Sequence, residues 1–155
     1  AAALFLDDQL HRPLEERTIT EWDSSCALFA FDDGSVVKIP ESPLILPSIT
    51  IKGIVAILQD WGVKVEEREL FYGELLQAVK EKRLMVACSV GTAGILNRCQ
   101  KLTLLGEKNK VLTTHTVRED HPLFNQLGEA RERYWAIYQE KFLPPPGIKL
   151  YKYVL

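Results

Sequence analysis

In the stretch LILPSITIKGIVAILQDWG, Leu44 to Gly62, a proline-bearing turn runs straight into a helix whose first residues can hold a negative charge. Ile51, Ile54, Val55, Leu58 and Trp61 fall on one helical face, Ser48 or Thr50 serves as N-cap, and Gly62 marks the C-terminal stop. The first N–H groups, around Ser48, Ile49 and Thr50, have no helical partner and the positive end of the helix dipole lies behind them, so a phosphate suits this start. Two other features are of the same kind. The segment GTAG, Gly91 to Gly94, closes an apolar strand with a small-residue turn where another group can approach the backbone, and Thr92 adds a hydroxyl. Glu21, in TITEWDSSCALF, supplies a carboxylate. Each has an ordinary explanation: a helix needs a cap, a solvated strand carries glutamate, and a turn threonine satisfies its own turn. As a set they amount to one carboxylate and two phosphate-binding corners.

The chain that must position them has 155 residues, 46% hydrophobic and 26% charged, enough for one core. Its formal charge of -2, with acids and bases interspersed, gives no broad attraction for nucleic acid or for an anionic membrane, and neither partner is expected. No apolar run approaches the roughly 20 residues that cross a bilayer, and the opening AAALFLDDQL lacks a secretory pattern, so an intracellular protein, cytoplasmic or mitochondrial, is expected. Cys26, Cys88 and Cys99 are too widely spaced for a disulfide framework and read as reduced, mostly buried thiols. With His11, His115 and His121 they form no ligand pattern, so no metal site is expected.

Hydrophobic periodicity predicts an α+β domain with mixed strands and three principal helices. ALFLDD reads as a short buried strand. HRPLEERTITEWDSSCALFAFDDGSVVKIP reads as several, the last two joined by an Asp33-Gly34 hairpin. After a helix over Thr50 to Trp61 come a half-buried strand at VKVEEREL, a helix at GELLQAVKEKR and an apolar strand at LMVACSV. Further strands, ILNRCQKLTLL and KVLTTHTV, bracket a turn over Gly106 to Asn109. A long amphipathic helix over Pro122 to Phe142 is stopped by Pro144, Pro145 and Pro146. Tyr134, Trp135 and Tyr138 read as core and interface packing residues, and Glu66 to Leu70 as a solvated strand face.

The order of these segments resembles the C-terminal, cofactor-holding domain of the fold type IV aminotransferases that use pyridoxal phosphate, nearest to the branched-chain amino acid aminotransferases. The family pattern is Thr-Glu, a small-residue run and an aromatic strand, then Leu-Pro-Gly-Val-Thr-Arg opening a helix, then Ser-Gly-Thr-Ala. TEWDSSCALFAF, LPSITI and SVGTAG stand in that order here, and the resemblance covers Leu4 to Leu105 well and the last helix loosely. It implies a pseudo-barrel of mixed strands with flanking helices, a single domain over residues 1–155. The small N-terminal domain and the lysine that holds the cofactor as a Schiff base are expected to lie outside it, since the first lysine here is Lys38 and the family position falls before Ala1. By resemblance Glu21 pairs with the pyridine nitrogen, Ser48, Ile49 and Thr50 hold the phosphate, and Gly91 and Thr92 form a second phosphate corner. Ser48 stands for the family's glycine, Ile51 for its arginine, Cys26 for an asparagine and Arg98 for a proline.

The resemblance implies transamination of branched-chain amino acids if another chain or the full-length protein supplies the lysine. The alternative is a lysine-free, cofactor-independent enzyme or binding protein that reuses the cleft for a small apolar molecule, with Glu21 as acid or base and Cys26 beside it. A partner protein without chemistry is the third reading. All three lead to an expected homodimer or complementing chain, through the sheet face left uncovered and the tail GIKLYKYVL.

Overall fold

The computed structural model describes residues 2–151. Strand β3 (Cys26–Phe31) is buried along its whole length and sits in the middle of a five-stranded sheet. Its neighbours are β4 (Val36–Lys38), reached through the Asp33-Gly34 hairpin, and β6 (Leu84–Gly91), both antiparallel to it. Strand β5 (Val65–Glu67) pairs parallel with β4, and β7 (Ile95–Arg98) closes the far edge, giving the order β5-β4-β3-β6-β7. A parallel pair needs a crossover, and helix α1 (Ile49–Asp60) is that crossover. Helix α3 (Pro122–Tyr138) packs on α1 and on β6 and β7, while α2 (Tyr72–Lys80) lies against β6 and the two-stranded sheet of β8 (Lys101–Leu105) and β9 (Val111–Thr116). The third sheet pairs β1 (Leu4–Leu6) with β2 (Ile19–Trp22). The α+β class with mixed strands and three α-helices is as the sequence predicts.

Several boundaries differ from expectation. β1 is not a buried strand: it has one strand neighbour, β2, and Phe5 is 51% exposed. ILNRCQKLTLL is two strands in different sheets, because the chain turns away at Cys99 and Gln100, whose backbones bond to Ala87 and Val117 respectively. VKVEEREL contributes three strand residues, and its Glu67 is tied to a buried lysine on β4. The face of Trp135 and Tyr138 is open: their rings stack at 5.4 Å and stay largely exposed, and of the three aromatics only Tyr134 packs against the core. Of the tail GIKLYKYVL, Lys152 to Leu155 lie outside the described residues.

The helix ends share one device. After α1, α2 and α3 the residues Gly62, Lys82 and Glu140 take φ of 79°, 58° and 61°, and the N–H of the next residue reaches back to Leu58, Ala78 and Ala136. Glycine adopts this conformation freely, whereas lysine and glutamate cost about 1 kcal/mol there. Hence α3 ends at Tyr138, ahead of the three prolines expected to stop it. At Gly53 the need is room: a Cβ would lie 2.5 Å from Tyr134 Cε2, so glycine lets α1 and α3 approach.

The loop between β1 and β2 is closed by one carboxylate. Asp7 Oδ1 accepts from Gln9 N at 3.0 Å and Arg17 Nε at 3.3 Å, and Oδ2 from Thr18 N at 2.8 Å and Thr18 Oγ1 at 2.9 Å. Burial pushes this carboxyl up, and the bonds from Thr18, Gln9 and Arg17 outweigh burial and lower it to about 2. A depressed folded-state pKa contributes stability above the unfolded value of 3.8, which is lost as pH falls toward 2. Asp7→Asn should therefore cost about 1–2 kcal/mol at pH 7, the figure being discounted for nearby solvent. In thermal melts from pH 7 to pH 2 the gap between the parent and Asp7→Asn should close between about pH 4 and pH 2; a constant gap would refute this account.

Candidate active site

A cleft of about 410 Å³ opens where three distant segments meet. Glu21, Asp23, Ser24, Ser25 and Cys26 come from β2, the following turn and the start of β3; Leu46, Pro47, Ser48, Ile49 and Thr50 from the entry to α1; Val90, Gly91 and Thr92 from the end of β6. Every site residue picked from the sequence, Glu21, Cys26, Ser48, Ile49, Thr50, Gly91 and Thr92, lines this one cleft.

Each wall has a local cause. Between β2 and β3 the chain reverses in a tight turn, with Trp22 N–H bonded to Ser25 O at 2.8 Å, and the Trp22 indole donates to Cys88 O at 3.0 Å, locking β2 onto β6. That leaves Glu21, on the opposite side of the strand from Trp22, half-buried at the rim. The register Cys26↔Val90 sets the start of β3 beside the end of β6, and a Cβ on Gly91 would meet Ser25 Cβ at 3.2 Å, so the two turns touch through a glycine. Arg131 of α3 donates to Gly94 O at 3.3 Å and holds the far side of the Gly91–Gly94 turn.

The third wall is the start of α1. Ser48 is its N-cap, with Oγ accepting from Ile51 N–H at 3.4 Å. Of the candidate caps, Ser48 takes the role, and Thr50 sits within the first turn, buried. The Ile49 and Thr50 N–H groups are left without a helical acceptor and belong to residues that line the cleft. A serine at the family's glycine position does not disturb this turn, since its φ is −127°. The Cys26 thiol lies 3.9 Å from Leu46 O; burial pushes it up, with a smaller opposing effect from Ser48, so the neutral thiol prevails at pH 7.

Sequence reasoning passed over Asp23, the Ser24-Ser25 turn, Leu46 and Val90. The pair of serines after Glu21 was the available signal for the turn, while Leu46, 79% exposed ahead of Pro47, gave none. No lysine, arginine or histidine among the described residues lines the cleft. Lys38 is covered and lies 3.1 Å from Glu67. Nor do the described residues contain a group of three or more His, Cys, Asp or Glu able to hold a metal ion, or a helix long and apolar enough to cross a membrane.

Compared with known proteins, the chain is 34% identical over 110 residues to branched-chain-amino-acid aminotransferase 6 of Arabidopsis thaliana and 32% identical over 84 residues to branched-chain-amino-acid aminotransferase 2 of Bacillus subtilis. These matches take in 71% and 54% of this chain. Among solved structures, the holo-form branched-chain amino acid aminotransferase of Thermobaculum terrenum superposes with a TM-score of 0.63 over 91% of this chain, at 21% identity. This chain has the type IV aminotransferase fold. The branched-chain aminotransferase of the archaeon Thermoproteus uzoniensis, solved with norvaline, shares that fold at a TM-score of 0.60 over 92% of the chain and 20% identity. No protein-family model matches. The chain spans about a quarter of the curated relatives, 28% of the Arabidopsis protein and 23% of the Bacillus one, and 38% of each of the two solved chains. The aminotransferase fold thus accounts for the sheet order and for the meeting of β2, β6 and α1 around one cleft.

Proposed function

We propose that this chain is the cofactor-side part of a branched-chain aminotransferase-like protein, acting on small amino acids with pyridoxal phosphate. One observation carries the reading: Glu21, Ile49–Thr50 and Thr92, from three segments far apart in sequence, share a single cleft, and they are the positions the resemblance assigns to the cofactor. The residues suit the group. Two uncommitted N–H groups and the positive end of α1 suit a phosphate, Thr92 adds an exposed hydroxyl across the cleft, and the Glu21 carboxylate suits a protonated ring nitrogen. When bound, pyridoxal phosphate supplies an electron sink for a substrate carbanion. The chain's own part is to grip the phosphate and to hold a proton on the ring nitrogen through Glu21. The α-proton of a substrate must be moved by a lysine from another chain or from the full-length protein; in the first case a homodimer or complementing chain completes the site.

The lysine-free alternative, a small-molecule binder or enzyme in the same cleft, is favoured by a different fact: the first lysine, Lys38, is covered and paired with Glu67. One experiment separates the two. On titration with pyridoxal phosphate and with pyridoxal, the proposed function predicts a shifted cofactor absorbance and tighter binding of the phosphorylated form by at least about tenfold. Borohydride treatment and intact mass should then find no adduct on this chain alone. Equal affinity for the two forms would reject the phosphate grip and leave the alternative; a specific adduct at Lys38 would show that the chain supplies its own amine.

A further inference from the structure

The cleft poses an electrostatic problem. Its lining residues include the carboxylates of Glu21 and Asp23 and no basic side chain among the described residues, yet the reading above puts a phosphate there. The helix start alone supplies about half an elementary charge. Among the described residues, further positive charge can come only from behind the walls.

Register places one cation there. Lys38 on β4 pairs directly with Leu28 on β3, and cross-strand partners point to the same face. Cys26 lies two residues before Leu28 on that face, so Lys38 and Cys26 are diagonal neighbours, about 7–8 Å apart at the backbone. Cys26 lines the cleft; Lys38 sits one row behind it, with its side chain 5% exposed. Its ion-pair partner, Glu67 at 3.1 Å, is 57% exposed and therefore well hydrated, while the neighbouring Glu41 is taken by Lys52 at 2.7 Å. A buried cation with a solvated counter-ion projects its field into the protein more than outward, since water screens one partner and the interior screens the other weakly. The Cys26 thiol lies within reach of both charges: burial dominates and raises it, Ser48 lowers it, Glu21 raises it, and Lys38 lowers it by less than Glu21 raises it.

We propose that Lys38 is a positioning residue that sets the charge preference of the cleft, making it accept a phosphate dianion from one row behind the wall. This rests on reading the cleft as a phosphate site, and the test separates the two. The chain and its Lys38→Met, Lys38→Arg and Glu67→Gln variants are titrated calorimetrically with inorganic phosphate, pyridoxal phosphate and pyridoxal. Lys38→Met should weaken both phosphorylated or phosphate ligands about five- to tenfold and leave pyridoxal within about twofold, because the lost interaction is with charge. Lys38→Arg should retain most of the affinity. Glu67→Gln, a change at an exposed side chain, should tighten phosphate about two- to threefold by removing the counter-charge. If the parent binds phosphate and Lys38→Met binds it as tightly, or loses pyridoxal equally, the proposal falls and the phosphate site stands. Should Lys38→Met fail to fold, unchanged or weaker phosphate binding by Glu67→Gln overturns it. If the parent binds no phosphate, both readings fall.

Discussion

Ile49→Pro should leave the fold intact and weaken binding of pyridoxal phosphate by about tenfold or more. Ile49 is the first residue of α1, where proline is well tolerated because that N–H has no helical acceptor and the fixed φ suits the helix. The residue before a proline is confined to extended conformations, and Ser48 already has φ −127° and ψ 123°. The Ile49 side chain is 85% exposed, so its loss removes little packing. What disappears is one N–H of a cleft-lining residue, which under the proposed function makes a charge-assisted bond to phosphate worth about 1.5–3 kcal/mol. Thermal melts should agree within a few degrees while the dissociation constant rises. Unchanged affinity for pyridoxal phosphate would show that the α1 start holds no phosphate.

Phe29→Ala should have the largest effect on stability, about 3–5 kcal/mol. Phe29 is fully buried at the centre of β3, opposite Val37 of β4 on one side and Ala87 of β6 on the other. Truncation leaves a cavity on the face of the sheet, and the flanking Val37 and Ala87, held by the β3–β4 and β3–β6 ladders, cannot move in to fill it. Since β3 begins at Cys26 and β6 ends at Gly91, the same strands carry two walls of the cleft. Urea titration should show a midpoint well below the parent with a similar slope, and a loss under about 1 kcal/mol would mean that the core is held elsewhere.

Much of the cleft was legible because its parts announce themselves locally. The α1 start has a proline, a serine cap and an amphipathic stripe; the β3–β4 hairpin has Asp33-Gly34; the β6 end has two glycines in four residues. The resemblance added the order of the motifs, and that order gave Glu21 a role beside the other two. What stayed hidden depends on partners distant in sequence. ILNRCQKLTLL alternates well enough to be one strand, and its break at Cys99 and Gln100 is set by bonds to Ala87 and Val117. The α3 end could not be read because Glu140 takes a conformation usually announced by glycine. Lys38 looks like any strand lysine until the pairing with β5 brings Glu67 beside it.

The parallel pairing of β4 with β5 bears on how such a pocket diverges over generations. A right-handed crossover from one strand to its parallel neighbour fixes the rim of the sheet on which its helix begins, whatever the length of the connection. From Ile39 to Pro47 the backbone makes one internal bond, Ile45 N–H to Ser42 O at 3.0 Å, and Glu41 is anchored to Lys52. Small insertions or deletions in this span would re-aim the positive end of α1 by a few ångströms while the layer around Phe29 keeps its composition. Ligand preference can thus drift through loop length alone, with the hydrophobic interior as the inherited constant.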